Sequence, residues 1–415
     1  MGASVTEKLY YADPGMLEFD AAVVRAAALP GGGYEVVLDR TCFYPGGGGQ
    51  PADKGTLGGA AVVEVRETDD GDVVHVLERP IPGGRASGAV DAARRLDFMA
   101  QHTGEHILAQ ALLQAGGLHT VSVHFGDDDT TIEVKADSID DAVLAEAERI
   151  SNRVIRENRR VLVHQVDRSE ASRFALRRAP PAEETRLRIV EVEGFDLVGC
   201  SGVHARSTGE VFLIKAVSQE KIRGRVRLHV LIGERAFADY GRKVALSQAL
   251  SRALTCGEDA ILARVQDLQA AQLEAAREMK RVTVERAGAE AESAVAAAPR
   301  AGAAVLVTRI FDGAGADYLK AFVERVTGKP GRACIALDRG TDSFQWIVAH
   351  SMERGPELAA IVSPRMAEAG AKGGGRGARM QGVGARRDAA GPFAQGVEKD
   401  LARALGGGAP ATEGT

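Results

Sequence analysis

Asp91-Ala92-Ala93-Arg94-Arg95-Leu96-Asp97-Phe98-Met99-Ala100-Gln101-His102-Thr103-Gly104-Glu105-His106-Ile107-Leu108-Ala109-Gln110 is the stretch on which the reading of this chain turns. It predicts one helix running to about residue 115, with Asp91 as its cap and Gly116-Gly117 as its stop. A spacing of four puts His102 and His106 on one helix face. Met99, Ala109, Gln110 and Leu113 share that face, so it points inward. Imidazoles on a buried stripe need partners. They are either core histidines satisfied by hydrogen bonds or a pair of metal ligands, and two at this spacing favour a metal. Thr103 stands where a zinc protease would carry its glutamate base, so that chemistry is not expected.

Upstream of this helix the chain reads as β-rich. Strands are expected at 34–38, 61–65 and 73–77, separated by turns at 31–33, 58–59, 69–71 and 82–84. Downstream, strands at 119–125, 130–134, 161–166, 188–192, 211–216 and 226–232 surround a helix over 140–159. The span 234–298 is helical, with a break at Cys256-Gly257. Its second piece would be ~60 Å long and must pack on something, either as a helical hairpin or as a coiled coil between two copies. After Pro299 come strands at 303–308 and 333–337, helices at 317–327 and 356–368, a glycine-rich loop, and a last helix over 391–405. The tail beyond Gly406 is expected to be disordered. The fold class is therefore α+β. A small β-barrel (1–90) precedes an α+β domain around the histidines (91–233), a long helical segment (234–298) and a small C-terminal α/β domain (299–415).

The chain has 415 residues, enough for several cores, and no uncharged apolar run approaches the ~18 residues of a membrane span. Residues 1–10 show no signal-peptide pattern. Four scattered cysteines make no disulfide framework, which points to a reducing cytoplasm. Aromatics at 5% argue against base-stacking platforms. The net charge of −5 hides local runs: residues 369–387 hold five bases and no acid, and 126–148 hold nine acids and one base.

Three further motifs carry chemistry. Cys200-Ser201-Gly202-Val203-His204 sits between glycines and reads as a turn that can present a thiolate and an imidazole to one ion. With His102 and His106 it makes a three-histidine, one-cysteine set, a donor mix that suits tetrahedral zinc. The loop Phe43-Tyr44-Pro45-Gly46-Gly47-Gly48-Gly49-Gln50 lets a ligand approach bare backbone. The segment 371–384, with Lys372, Arg376 and Arg379 among glycines, is expected to be a loop that contacts phosphate.

The order of these motifs (Tyr44-Pro45-Gly46-Gly47-Gly48-Gly49-Gln50, then His102 and His106, then Cys200 and His204) resembles the editing domain of alanyl-tRNA synthetase and its free-standing relatives, the AlaX proteins. Segment 373–379 resembles the DHH-associated domain that ends those synthetases and the long AlaX forms. The resemblance implies that His102, His106, Cys200 and His204 bind zinc. It implies hydrolysis of mischarged tRNA(Ala), with Gly46, Gly47, Gly48, Gly49 and Gln50 lining the pocket for the terminal adenosine and its amino acid. Lys372, Arg376 and Arg379 are the expected tRNA contacts. Ser201 and Val203 depart from the commonest synthetase pattern, and Glu105 lies beside a ligand, which bears on amino-acid preference. The glycine loop starts at Phe43, leaving no room upstream for an aminoacylation domain, and the sequence contains no Asp-His-His.

A site that hydrogen-bonds a substrate hydroxyl can reject the analogue lacking it by ~10⁴–10⁵, so serine is the expected target over glycine. The ion either activates a water or orients the ester. Ser122 and His124, on the strand after the helix, are the candidates for touching substrate. Two alternatives stay open: an RNA-binding protein with a structural zinc, and a zinc hydrolase of another ester or nucleotide. A homodimer through the long helices is compatible with the sequence.

Overall fold

The computed structural model describes residues 6–178 and 185–406. The chain divides into two compact units, Met1–Leu250 and Ser251–Thr415. Among the described residues no helix is long and apolar enough to cross a membrane. The tail after Gly406 lies outside the described residues.

The first unit opens with a closed six-stranded barrel. Its strands run in the spatial order Glu18–Ala28, Tyr34–Leu38, Val73–Leu77, Ala60–Glu67, Gly55–Leu57 and Arg85–Val90. Glu18–Ala28 is alanine-rich and shows no strand-like alternation, yet it is the longest strand, because ladders on both sides hold it extended. Val36, Leu38, Phe43, Leu57, Val65, Val73 and Leu77 fill the interior.

The helix that follows spans Ala92–Gly116. Asp91 accepts from the Arg94 N–H at 3.1 Å, and Gly117 closes the helix in the left-handed conformation at φ 65°. Capping by Asp is worth ~1 kcal/mol. One side of this helix, Ile107, Leu108 and Leu112, packs on an antiparallel sheet ordered Ile214–Ile222, Arg225–Ile232, Thr130–Val134, Thr120–Phe125. The helix Asp141–Arg156 covers the same core through Ile150 and Val154. Truncating a core leucine such as Leu108 to alanine costs ~2–5 kcal/mol. A second sheet, Val161–Asp167, Arg186–Val192, Asp196–Gly199, carries the cysteine turn at its end.

Two local expectations are corrected here. The helix over 140–159 stops at Arg156, because Asn158 turns to φ 50°. The strand over 211–216 starts only at Ile214. Thr208–Val211 forms a short 3₁₀ turn, and Phe212 at φ 70° interrupts the extended chain.

In the second unit, the helix Ile261–Ala297 follows the expected break and packs Ala287, Ala291 and Ala294 against the helix Ala316–Thr327 and the sheet. The sheet runs Arg300–Ala301, Ala304–Asp312, Arg332–Arg339, Phe344–His350, Arg379–Gly384, Ala371–Arg376. Helices Leu358–Ala369 and Ala390–Ala404 cover its other face around Trp346 and Phe393.

The glycine-rich segment 371–384 is thus a β-hairpin and not a loop. Its glycines serve packing. A Cβ on Gly382 would come within 2.7 Å of the Trp346 ring, and one on Gly384 within 2.0 Å of Phe344. Pairing of the hairpin strands uses the backbone groups that a phosphate-cradling loop would have left free. Arg376 pairs opposite Arg379, and Lys372 is two steps of alternation away, so the three bases share one face of the hairpin. Arg379 stands 3.6 Å from Glu324, while Lys372 and Arg376 are exposed.

Candidate metal centre and its cavity

His102 and His106 meet Cys200 and His204 as their spacings require. The four candidate donor atoms all lie within 4.8 Å of one another. Cys200 Sγ stands 3.3 Å from both His102 Nε2 and His204 Nε2. A tetrahedral ion with ~2.3 Å bonds to sulfur and ~2.0 Å bonds to nitrogen would set sulfur–nitrogen edges of about 3.5 Å, so the group could hold a metal ion. The buried Nδ1 of His106 has no hydrogen-bond partner among the described residues and stands 3.9 Å from the Asp196 carboxylate.

The rings are held from behind. The Gln50 amide oxygen accepts from the Val203 N–H at 3.0 Å and lies 2.8 Å from His102 Nδ1. An oxygen facing both groups accepts from both, so His102 carries its proton on Nδ1 and turns a bare Nε2 toward the sulfur. Thr103 Oγ1 accepts from the Ala205 N–H at 3.0 Å and sits 3.2 Å from His204 Nδ1, a hydrogen bond that holds the orientation of that ring. Gly202 is required by space: a Cβ there would lie 2.2 Å from His102 Cε1.

Burial keeps the histidines neutral. It holds His102 down to about 3, with the Arg188 charge adding to the effect. It also holds His106 and His204 well below the usual imidazole range. Burial pushes the Cys200 thiol up to about 11, against the lowering pull of the Gly202 N–H and of Arg188. A divalent cation would invert that balance and favour the thiolate. Glu105 is buried beside the group, and burial raises its carboxyl to about 7.

The group opens on a cavity of about 470 Å³. Its wall includes Gly48, His102, Glu105, His106, Ser122 and Cys200. Of the glycine loop, then, Gly48 reaches the cavity wall. Gln50 is buried behind His102 and is not part of that wall. The loop is pinned: Gly47 and Gln50 exchange backbone hydrogen bonds at 3.0 Å, and Tyr44 Oη donates to Gly47 O at 3.0 Å. All four of its glycines have positive φ, between 59° and 135°, a backbone that residues with a side chain rarely adopt. Behind it, Asp53 accepts from the Tyr44 N–H at 2.6 Å and takes both Nε and a terminal nitrogen of Arg95, which is fully buried. This pair fastens the barrel loop to the helix that carries the histidines. Ser122 lines the cavity, whereas the His124 side chain, on the same strand, is exposed and does not.

Sequence reasoning missed the arginines. Arg177, Arg178, Arg186 and Arg188 all line the cavity. The alternation of Arg186 and Arg188 on a strand puts them on one face and was the available signal. Thr103 was passed over because its role depends on where His204 arrives.

An alignment of 246 positions, which takes in 53% of this chain, matches it to the alanyl-tRNA editing protein AlaX-M of Methanosarcina mazei at 32% identity and covers 92% of that protein. The chain belongs to the alanyl-tRNA editing protein family. Beyond AlaX-M, it is similar to the alanine–tRNA ligases of Ignicoccus hospitalis (33% over 282 residues) and Pyrococcus abyssi (35% over 264 residues). These matches take in 65% and 60% of this editing-family chain but only 30% and 28% of the ligases. No family model matches it. Among solved structures, the C-Ala domain of Aquifex aeolicus alanyl-tRNA synthetase aligns with 25% of this chain and 97% of that domain, at 16% identity. Its TM-score of 0.24 is too low to establish a shared fold.

Proposed function

We propose that this chain is a zinc-dependent hydrolase that acts in trans on mischarged tRNA(Ala), with the seryl ester as its main substrate and the glycyl ester as the lesser one. One observation carries the reading: a single cavity brings together the His/Cys group, the side-chain-free backbone of Gly48, and the Ser122 side chain. Membership of the editing family supports it.

Three histidines and a cysteine are a donor set that suits zinc. Zinc, when bound, supplies a Lewis acid for the ester carbonyl or for a water. His102, His106, Cys200 and His204 would hold it, with Gln50 and Thr103 fixing two of the rings. An aminoacyl ester is already activated, so placing it against the cluster and Gly48 does most of what is needed. A hydroxyl at the cavity wall, such as that of Ser122, can engage the serine side chain, and alanine cannot replace that contact. Glycine lacks the hydroxyl too, which is why it ranks second.

Along the chain we assign the ester site to 1–233, within the barrel (1–90) and the α+β segment (91–233). We assign tRNA contact to Lys372, Arg376 and Arg379 in 299–415. The helices of 234–298 expose Leu246, Leu262, Leu268 and Met279, and a homodimer through them is part of this reading. Four free cysteines suit a reducing cytoplasm.

The deciding experiment is hydrolysis of Ser-tRNA(Ala) against Ala-tRNA(Ala), with and without a chelator. Chelator-sensitive loss of the seryl ester alone is expected. Tight tRNA binding and stoichiometric zinc without hydrolysis of either ester would leave an RNA-binding protein with a structural metal.

A further inference from the structure

Four guanidinium groups line one cavity of a chain whose net charge is −5, and three of them make no ion pair among the described residues. Arg177 is paired with buried Asp196, at 2.8 Å. Arg188 donates to the carbonyls of Cys200 and Gly202 at 2.8 and 2.9 Å and lies over the Tyr11 ring, but faces no carboxylate within ion-pair distance among the described residues. Arg178 donates to the Thr120 carbonyl at 3.1 Å and has no carboxylate within ion-pair distance among the described residues, although its charge acts on buried Glu105. The Arg186 side chain is exposed and makes neither a hydrogen bond nor an ion pair among the described residues, although the strand register sets Arg186 opposite Asp167.

Arg188 has a structural task, since it holds the turn that presents Cys200. Arg178 and Arg186 have none of comparable weight. Arginines outside ion pairs at the mouth of a reaction cavity attract an anion, and their fork geometry suits phosphate oxygens. In a tRNA ester the reacting carbonyl hangs from the terminal ribose, and the nearest phosphodiester lies across that ribose on its 5′ side. A substrate whose ester reaches the His/Cys group must therefore carry its last phosphates out past the cavity rim.

We propose that Arg178 and Arg186, with Arg188 behind them, form a clamp for the terminal phosphodiesters of the single-stranded 3′ end of the tRNA. This inference rests on the editing reading of the same cavity. It assigns these arginines to the nucleic-acid strand and not to the amino acid, and it separates the clamp from the bases of the C-terminal hairpin.

The test compares the intact protein with its Arg178→Gln/Arg186→Gln double variant on two substrates: seryl-tRNA(Ala), and the seryl ester of adenosine, which has no phosphate. The expected result is a rise of about 30-fold in KM for the tRNA ester with kcat held, and a much smaller change on the adenosine ester. Binding of a fluorescent single-stranded ACCA tetranucleotide is followed in parallel against salt. Loss of two phosphate contacts should flatten the log–log salt slope by about 1.4. An equal loss on both substrates would overturn the clamp, because the arginines would then act on the ester or on the fold. An unchanged KM and salt slope would overturn it as well. If the unaltered protein hydrolyses neither ester, the editing reading fails, and the tetranucleotide slope still decides the clamp.

Discussion

Gln50 Oε1 lies 2.8 Å from His102 Nδ1, so a residue of the barrel loop fixes the proton on a histidine of the following helix. Partners of this kind set ring orientation and ligand basicity. Gln50→Ala should weaken zinc binding by about 10–100-fold with the fold retained. Competition against a chromophoric chelator reads this directly. Unaltered affinity would mean that the His102 ring needs no such support.

Gly202→Ala should be at least as harmful to the metal. The added methyl would overlap the His102 ring, and the turn that carries it is tied to Arg188 and cannot easily retreat. Zinc content per chain should fall while far-UV circular dichroism stays as it was. A variant that retains full zinc would show that the turn gives way.

Zinc uptake should release a proton. Burial holds the Cys200 thiol protonated at pH 8, with its pKa up at about 11, and the metal requires the thiolate. Calorimetry in buffers of different ionisation enthalpy counts the protons. A count of zero at this pH would remove Cys200 from the ligand set.

His75 gives the metal-free barrel an acid dependence of known sign. Its ring is buried between Thr41 Oγ1 at 2.8 Å and the Val36 carbonyl at 3.1 Å, and burial lowers it to about 4 from an ordinary 6.5. The unfolded chain binds more protons between those values. Stability is therefore full above pH 6.5 and is lost as pH falls through 4. The total is about 3 kcal/mol. Urea unfolding of the apo-protein at pH 7 and pH 4 should show less of this loss in His75→Gln than in the unaltered chain. Equal losses would exclude His75 as the source.

Asp53→Asn should destabilise the first unit by about 3–5 kcal/mol, because it strands the buried guanidinium of Arg95. Denaturant titration measures the loss. A shift below about 1 kcal/mol would mean that the carbonyls of Pro14 and Cys42, which also accept from Arg95, suffice alone.

The sequence by itself determined the elements whose signals are local. Asp91 caps and Gly117 stops the site helix where the pattern of residues requires, and the four-residue spacing of His102 and His106 places both on its inner face. The turn around Cys200 was legible from its glycines, and so was the helix break near Cys256. Tertiary structure alone decided what depends on distant partners. The alanine-rich stretch Glu18–Ala28 is a strand because two neighbours pair with it. Segment 371–384 is a hairpin because Phe344 and Trp346 leave room only for glycine beneath it. Gln50 stands behind a histidine 52 positions further on, and the arginines of the 177–188 segment meet Gly48, Ser122 and the His/Cys group, from distant parts of the chain, in one cavity. Local propensity is written in a few neighbouring residues, whereas these contacts exist only after the sheets have brought remote segments within a few ångströms.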